Sequence, residues 1–443
     1  MSSIRIGLLM IALAPFAAAV GAEESEVDSP GPESSETESP QSSEQAARDA
    51  DDPPGQPDDD TAEIDVDNSI AVDDASDADF DKKGWFLRTD VRGGFFSRDT
   101  DLRDGSNFSE DEFKFRSRLE AERSLRKNLR LKARLAGACS TDDCDPDFSL
   151  ESTTSTSNSL VNGEITLDEL FLHHFRPRYD AALGRLQTKF VARGGVFAKS
   201  MDRNDSNNIN INWTDGVHAT WKSRFGWTSN LILQHNSSEG SSGVRHFPLD
   251  FDDSGSRVSY FSAIENIQPL GPIVQRGFDV SYLPKALMRD GDRLGRIEDY
   301  WGVVGRFAAR WTVSEKRDMR FRISGEVGYA PETPTKQAVG TGTSGDTDGF
   351  GWAVTAALMD FRPGHSIGIN YARMGAGWLL SPQYRQNEEL KAIRYVWNFR
   401  KNKTLEIRAR QRDDIDQLLT AQNKRDGFDL FVRMTLRFSL LER

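Results

Sequence analysis

Residues 113–135 read FKFRSRLEAERSLRKNLRLKARL. Phe113, Phe115, Leu119 and Ala121 alternate with Lys114, Arg116, Arg118, Glu120 and Glu122. Beyond Arg126-Lys127-Asn128, Leu129, Leu131, Ala133 and Leu135 alternate with Arg130, Lys132 and Arg134. A period of two describes a strand with one apolar and one charged face. At a helical period of 3.6 the same charges would spread around the whole cylinder. The connection is short, so the two strands form an antiparallel hairpin. A soluble sandwich would turn the apolar face inward; a transmembrane barrel would turn it toward lipid and the charged face toward a wet lumen. The hairpin alone does not decide between the two.

The rest of the chain does. Fourteen further segments carry strand patterning: 85–96, 165–175, 179–188, 217–222, 227–235, 258–264, 275–283, 301–311, 319–329, 350–358, 366–373, 390–399, 404–412 and 428–438. With the founding hairpin they make sixteen. Seven short connectors (126–128, 176–178, 224–226, 266–273, 312–318, 360–365 and 400–403) interleave with eight long polar ones (97–112, 139–164, 189–216, 236–257, 284–300, 330–349, 374–389 and 413–427). An up-and-down barrel of sixteen strands needs this alternation, with both ends of the chain on the short-turn side. A sandwich has no reason to gather its long loops at one end. Trp85, Trp227, Trp301, Trp311, Trp397, Phe399 and Phe438 fall at strand ends, as interfacial girdles would. Each Arg or Lys on a lipid face costs roughly 2–4 kcal/mol at mid-membrane. A face carrying Arg408, Arg410 and Arg412 must therefore look into water.

Composition divides the chain. The total formal charge is −13. Residues 1–81 hold 22 acids and 2 bases, leaving 47 acids and 54 bases in the remainder. An acidic tail is joined to a basic body, and a whole-chain isoelectric point would suggest the wrong partner. Residues 1–22 read as a signal peptide, with Arg5 before the apolar run 6–20 and Val20-Gly21-Ala22 as the cleavage site. Residues 23–81 hold Asp, Glu, Ser and Pro with almost no aromatics, the composition of a disordered segment. The barrel occupies 82–443. No later stretch has 18 consecutive apolar residues, so a membrane location requires a barrel. The two cysteines, Cys139 and Cys144, suit a loop disulfide in an oxidising compartment and make a poor zinc site.

Leu167-Asp168-Glu169-Leu170-Phe171-Leu172, followed by Leu183-Gly184-Arg185-Leu186-Gln187, resembles the paired strand signature of Gram-negative porin-like barrels, including the alginate-export type. Trp213-Thr214-Asp215-Gly216-Val217 and residues 377–385 (GWLLSPQYR) extend the resemblance, and residues 429–438 are similar to a closing strand that ends on an aromatic. The resemblance implies an outer-membrane channel of a Gram-negative bacterium, set in lipid and lipopolysaccharide, as a monomer or homotrimer, without cofactor or nucleic-acid partner. It is specific for architecture and poor for substrate.

The expected solute pathway is the inward row of Lys114, Arg116, Arg118, Arg130, Lys132, Arg134, Arg306, Arg310, Arg320, Arg322, Arg408, Arg410 and Arg412. The four clearest strands give eleven bases against the acids Glu120, Glu122, Glu326 and Glu406. A wet pore so biased attracts anions, and arginine matches carboxylate and phosphate geometry. The competing reading is a cross-strand charge lattice that stiffens the wall. Loop 189–216, with Gly194-Gly195, is the expected constriction.

Other motifs carry little. Residues 340–345 (GTGTSG) match a dinucleotide fingerprint, but no helix pattern follows. Asp250, Asp252, Ser254 and Gly255 begin like a calcium loop, yet Phe261 stands where the closing Glu belongs. His173 and His174 are adjacent in a strand and point apart. A hydrolase reading would need His218 to meet Ser223 or Asn230, and no nucleophile elbow is present. The sequence therefore indicates a non-enzymatic channel for small hydrophilic, preferentially anionic solutes. The alternatives are an export pore for an anionic polysaccharide and a non-conducting barrel that binds a partner through its loops.

Overall fold

The computed structural model describes residues 85–442 apart from 142–143, 145–146, 149–158, 161–162, 189, 198, 203–210, 213, 236–257, 292–296 and 381–383. The expected signal peptide at 1–22, the acidic segment at 23–81 and the calcium-like stretch at 250–255 lie outside the described residues. Sixteen long strands form: β1 (Trp85–Asp101), β2 (Asn107–Arg126), β3 (Leu129–Ser140), β4 (Glu164–Arg176), β5 (Tyr179–Leu186), β6 (Thr214–Lys222), β7 (Trp227–His235), β8 (Val258–Asn266), β9 (Ile273–Met288), β10 (Ile297–Ser314), β11 (Met319–Tyr329), β12 (Phe350–Arg362), β13 (His365–Met374), β14 (Glu388–Arg400), β15 (Lys403–Asp414) and β16 (Asp426–Glu442). Each pairs antiparallel with the next. β1 pairs with β16 from Phe86↔Glu442 to Asp101↔Asp426, which closes the ring. Closure leaves no unpaired sheet edge in lipid. β16 continues past Phe438, where the sequence suggested its end.

Side-chain direction settles what meets what. Phe113, Phe115, Leu170, Leu183, Leu231, Phe278, Phe307, Val327, Ile369, Ile393 and Ile407 point outward and are exposed. Arg92, Arg116, Arg306, Arg322, Arg410 and Arg433 point inward and are at most 3% exposed. Two aromatic girdles bound the apolar band. Tyr260, Tyr282, Trp301, Tyr329 and Phe350 ring the long-loop end, and Tyr179, Trp221, Trp227, Trp311 and Trp397 the short-turn end. Trp301 and Trp311 are ten residues apart on β10. At about 3.3 Å per residue and a tilt near 40°, that is roughly 25 Å along the barrel axis, the height of a lipid-facing band.

The expectation of a long loop at 97–112 does not hold. β1 and β2 stay in register out to Asp101↔Asn107, leaving only 102–106 as a turn. There Gly105 adopts φ +85° and Asp104 accepts hydrogen bonds from Ser106. The stretch is polar on both faces, so period two vanishes while the backbone ladder continues. Above the bilayer both faces meet water and nothing selects an apolar side. Residues 284–300 shorten likewise, because β9 runs on to Met288 and β10 starts at Ile297.

Candidate functional site

The lumen has two unlike walls. On β9–β14 many inward positions are small or apolar: Val304, Ala308, Ala353, Ala357, Ala372, Leu390, Ala392 and Val396 are buried, beside a charged cluster of Asp279, Arg306 and Glu326. Two long loops fold inward onto them. Residues 190–197 and 199–202 bring in Val196, Phe197 and Met201; residues 375–380 and 384 bring in Trp378, Leu379, Leu380 and Tyr384. Glycines on the wall make room. A Cβ at Gly328 would sit 2.5 Å from the Trp378 ring, and one at Gly368 2.5 Å from Val196.

Hydrogen bonds fasten the first loop to the wall. Trp378 Nε1 donates to the Met201 carbonyl at 2.8 Å. The Arg193 amide donates to Gln275 Oε1 at 2.8 Å, and Gln275 Nε2 returns one to the Val191 carbonyl at 2.9 Å. The Met201 amide donates to Glu326 at 3.0 Å, and Arg394 Nη1 donates to the Val196 carbonyl at 2.5 Å. Arg306 binds Glu326 at 2.5 Å, Asp279 at 2.6 Å and Asp202 of the loop at 3.4 Å. Of the expected constriction 189–216, residues 190–197, 199–202, 211–212 and 214–216 are described; 190–197 and 199–202 lie inside the barrel, and 214–216 belong to β6.

The other wall, from β14 through β16 to β1–β4, is a lattice of arginines and carboxylates. Arg116 and Arg92 share Asp90 at 2.6 and 3.3 Å. Arg118 and Arg134 share Asp168 at 2.9 and 2.8 Å. Arg394 and Arg433 share Glu406 at 2.8 and 2.5 Å. Arg412 and Arg425 share Glu388, and Arg410 holds Asp429 at 2.6 Å. Arg408 stacks over Phe431, 5.3 Å from the ring centroid. A bulge supplies part of this pattern. Arg134 pairs with Glu169 and Leu135 with Leu167, so Asp168 is the extra residue. The bulge lets consecutive acids, Asp168 and Glu169, both face the lumen.

Lys199 is carried between the walls on the inward loop. It is 6% exposed, and its ammonium sits 5.0 Å from the centre of the Tyr384 ring. Burial, then the charges of Arg412 and Arg408, hold it well below the usual lysine range.

No family model and no curated protein matches this chain. Among solved structures, an OprB from Pseudomonas putida aligns over 84% of this chain and 97% of its own, at 12% identity and a TM-score of 0.51. The fold is that of a Gram-negative outer-membrane porin. Acinetobacter baumannii OccAB4 and an anion-selective porin from Comamonas acidovorans align over 81% and 80% of this chain, each at 10% identity, with TM-scores of 0.45 and 0.46. Likenesses of that strength say nothing about selectivity.

Within this barrel the expected pathway residues separate into groups. Arg116, Arg118, Arg408, Arg410 and Arg412 line the basic wall, with Lys114, Arg130, Lys132 and Arg134 continuing it onto the flank of β2 and β3. Arg306, Arg310 and Arg322 stand on β10 and β11, across the ring from β2, and Arg320 folds back onto Asp318 at 2.8 Å near the short-turn mouth. The expected ratio of eleven bases to four acids is diluted. Asp90, Asp168, Glu169, Asp279, Glu388 and Asp429 also face inward, from strands left out of that tally. Arg394, Arg433 and Lys199 were absent from the expected set. Arg394 sits in a strand whose inward face also carries Glu388, Leu390, Ala392 and Val396, and its immediate inward neighbours Ala392 and Val396 are apolar, so alternation gives little sign of it.

Cys139 and Cys144 are joined in a disulfide, Cα atoms 4.7 Å apart, where β3 enters its loop. His218 does meet Asn230, with Nε2 3.1 Å from Oδ1, and Thr220 Oγ1 lies 3.3 Å from the same nitrogen. A catalytic relay needs the nucleophile on one ring nitrogen and the orienting group on the other. Both partners here crowd Nε2, so the cluster is a polar tie between β6 and β7.

Proposed function

We propose that the chain is a passive diffusion channel for small hydrophilic solutes, with a preference for anions, and not an enzyme. The supporting observation is the sharing of single carboxylates by two guanidiniums at Asp90, Glu406 and Glu388. Two positive charges on one negative leave the basic wall with a surplus, while the lattice still holds each arginine in place. A low-dielectric wall focuses that surplus into the water beside it. The inward loops narrow the lumen, which suits small solutes better than a polysaccharide chain. Loss of water around a passing carboxylate or phosphate is offset by Arg Nη donors already aligned along the path.

Liposome swelling tests the reading. Vesicles holding the full-length mature protein should admit a small monocarboxylate faster than a neutral solute of equal size, and that faster than an amine. Equal rates for the three would remove the anion preference. No swelling with any solute would favour a barrel that only binds partners through its loops.

A further inference from the structure

The short-turn rim is strongly basic. Segments 123–128, 176–178, 222–226, 267–272, 315–318, 360–364 and 400–403 together hold thirteen Lys or Arg and three acids, Glu315, Asp318 and Asp360. Most of these bases, including Arg126, Lys127, Arg176, Arg178, Arg400 and Lys401, are exposed. The charges do not belong to the lumen lattice, because they lie on the turns below the lower aromatic girdle. The solute pathway does not explain them either, since an anion leaving the pore gains nothing from a rim that retains it.

β1 begins at the same rim. Trp85 opens β1 opposite Arg123, whose guanidinium lies 5.1 Å from the centre of the Trp85 ring. Just upstream, residues 58–81 contain eleven Asp or Glu and no Lys or Arg. Twenty-four extended residues reach roughly 80 Å at about 3.3 Å each. A ring of sixteen strands about 4.8 Å apart and tilted near 40° has a diameter of roughly 30 Å. The segment is therefore tethered at the rim and long enough to reach any of its turns. Its charge is opposite to that of the rim and similar in number.

We propose that residues 58–81 dock on the basic ring of short turns, at the periplasmic mouth of the barrel. Tethering raises the effective concentration of the segment at the rim far above that of a free polyanion. Contacts between exposed charges are screened by salt, with a Debye length of about 10 Å at 0.1 M and about 3 Å at 1 M. Docking is thus a low-salt state that high salt releases.

Zero-length carbodiimide coupling, which joins a carboxylate only to an amine in contact with it, reads this directly. The full-length mature protein in lipid vesicles is coupled at low and high salt, and the joined peptides are mapped by mass spectrometry. Asp180 and Lys222, 3.1 Å apart, are the internal control for coupling. At about 0.05 M salt, carboxylates of 58–81 should couple to Lys127, Lys401 or Lys403 within one chain, and about 1 M salt should reduce the yield at least tenfold. In the variant Lys127→Gln, Lys401→Gln, Lys403→Gln, exposed turn residues Lys127 and Lys401 and the half-buried Lys403 at the start of β15 are changed, and those products should vanish while the control pair persists. Coupling of the control pair without any product between 58–81 and the turns would overturn the proposal. So would products that form only between different copies, recognised by mixing isotopically light and heavy chains.

Discussion

Asp168 shows how much one residue does in this wall. Its side chain is fully buried between Arg118 and Arg134, with Arg134 donating through Nε and Nη2 at 2.8 Å each. It reaches that position because it is the bulged residue of β4. Removing one partner of a buried ion pair leaves the other charge uncompensated and costs more than the pair is worth. Asp168→Asn should therefore destabilise the barrel by about 3 kcal/mol, read as a lower midpoint for the loss of the compact form on heating. The same variant should raise anion preference, since a luminal negative charge is gone. Lys199 makes the complementary case. Its pKa is depressed by burial and by Arg412 and Arg408, with Asp429, Glu388 and Tyr384 also nearby. Its positive charge is therefore lost earlier than an ordinary lysine's as pH rises. Anion preference should decline as pH rises at values below an ordinary lysine's range in the wild type and not do so in Lys199→Met, as followed by ion selectivity at stepped pH.

The elements were legible in the sequence wherever lipid and water select opposite faces. All sixteen strands follow from alternation, because a strand at mid-membrane cannot place arginine outward. Legibility fell off in two places for physical reasons. Above the bilayer both faces of β1 and β2 meet water, so 97–112 read as loop although its backbone is paired. On β12–β14 the inward face is largely small and apolar, as at Ala353, Ala357 and Ala372, because loops pack on it. Alternation there is weak, and it hides Arg394. The inward course of 190–202 was suggested by Gly194-Gly195, but its partner, Trp378, could not be identified without the fold. A Trp378 side chain 1% exposed, seated over Gly328, locks one loop to the other. Trp378→Ala should cost about 3–5 kcal/mol locally and raise open-channel noise, as 190–202 loses its anchor. Deleting 194–202 should increase single-channel conductance severalfold with little loss of barrel assembly, because those residues form no part of the closed strand ring. Unchanged conductance would show that they do not narrow the path.

At the scale of the molecule, charge is sorted by position. The outside of the barrel is apolar between its girdles, one luminal wall carries surplus arginine, and the facing wall carries loops and the acid-rich cluster around Arg306. A solute crossing the pore meets a transverse field rather than a uniform tube. On the proposed reading, anions are drawn to the side formed by β14–β16 and β1–β3, where the guanidiniums are held in register by shared carboxylates. The sequence total of −13 conceals this, since the acids are concentrated in residues 1–81 and the barrel is net basic. The most direct measurement is the reversal potential of the purified, refolded full-length mature protein in a planar bilayer under a potassium chloride gradient. A shift toward the chloride equilibrium potential, reduced stepwise by Arg116→Gln and Arg410→Gln, is the expected result. A shift toward the potassium equilibrium potential would contradict the basic-wall pathway.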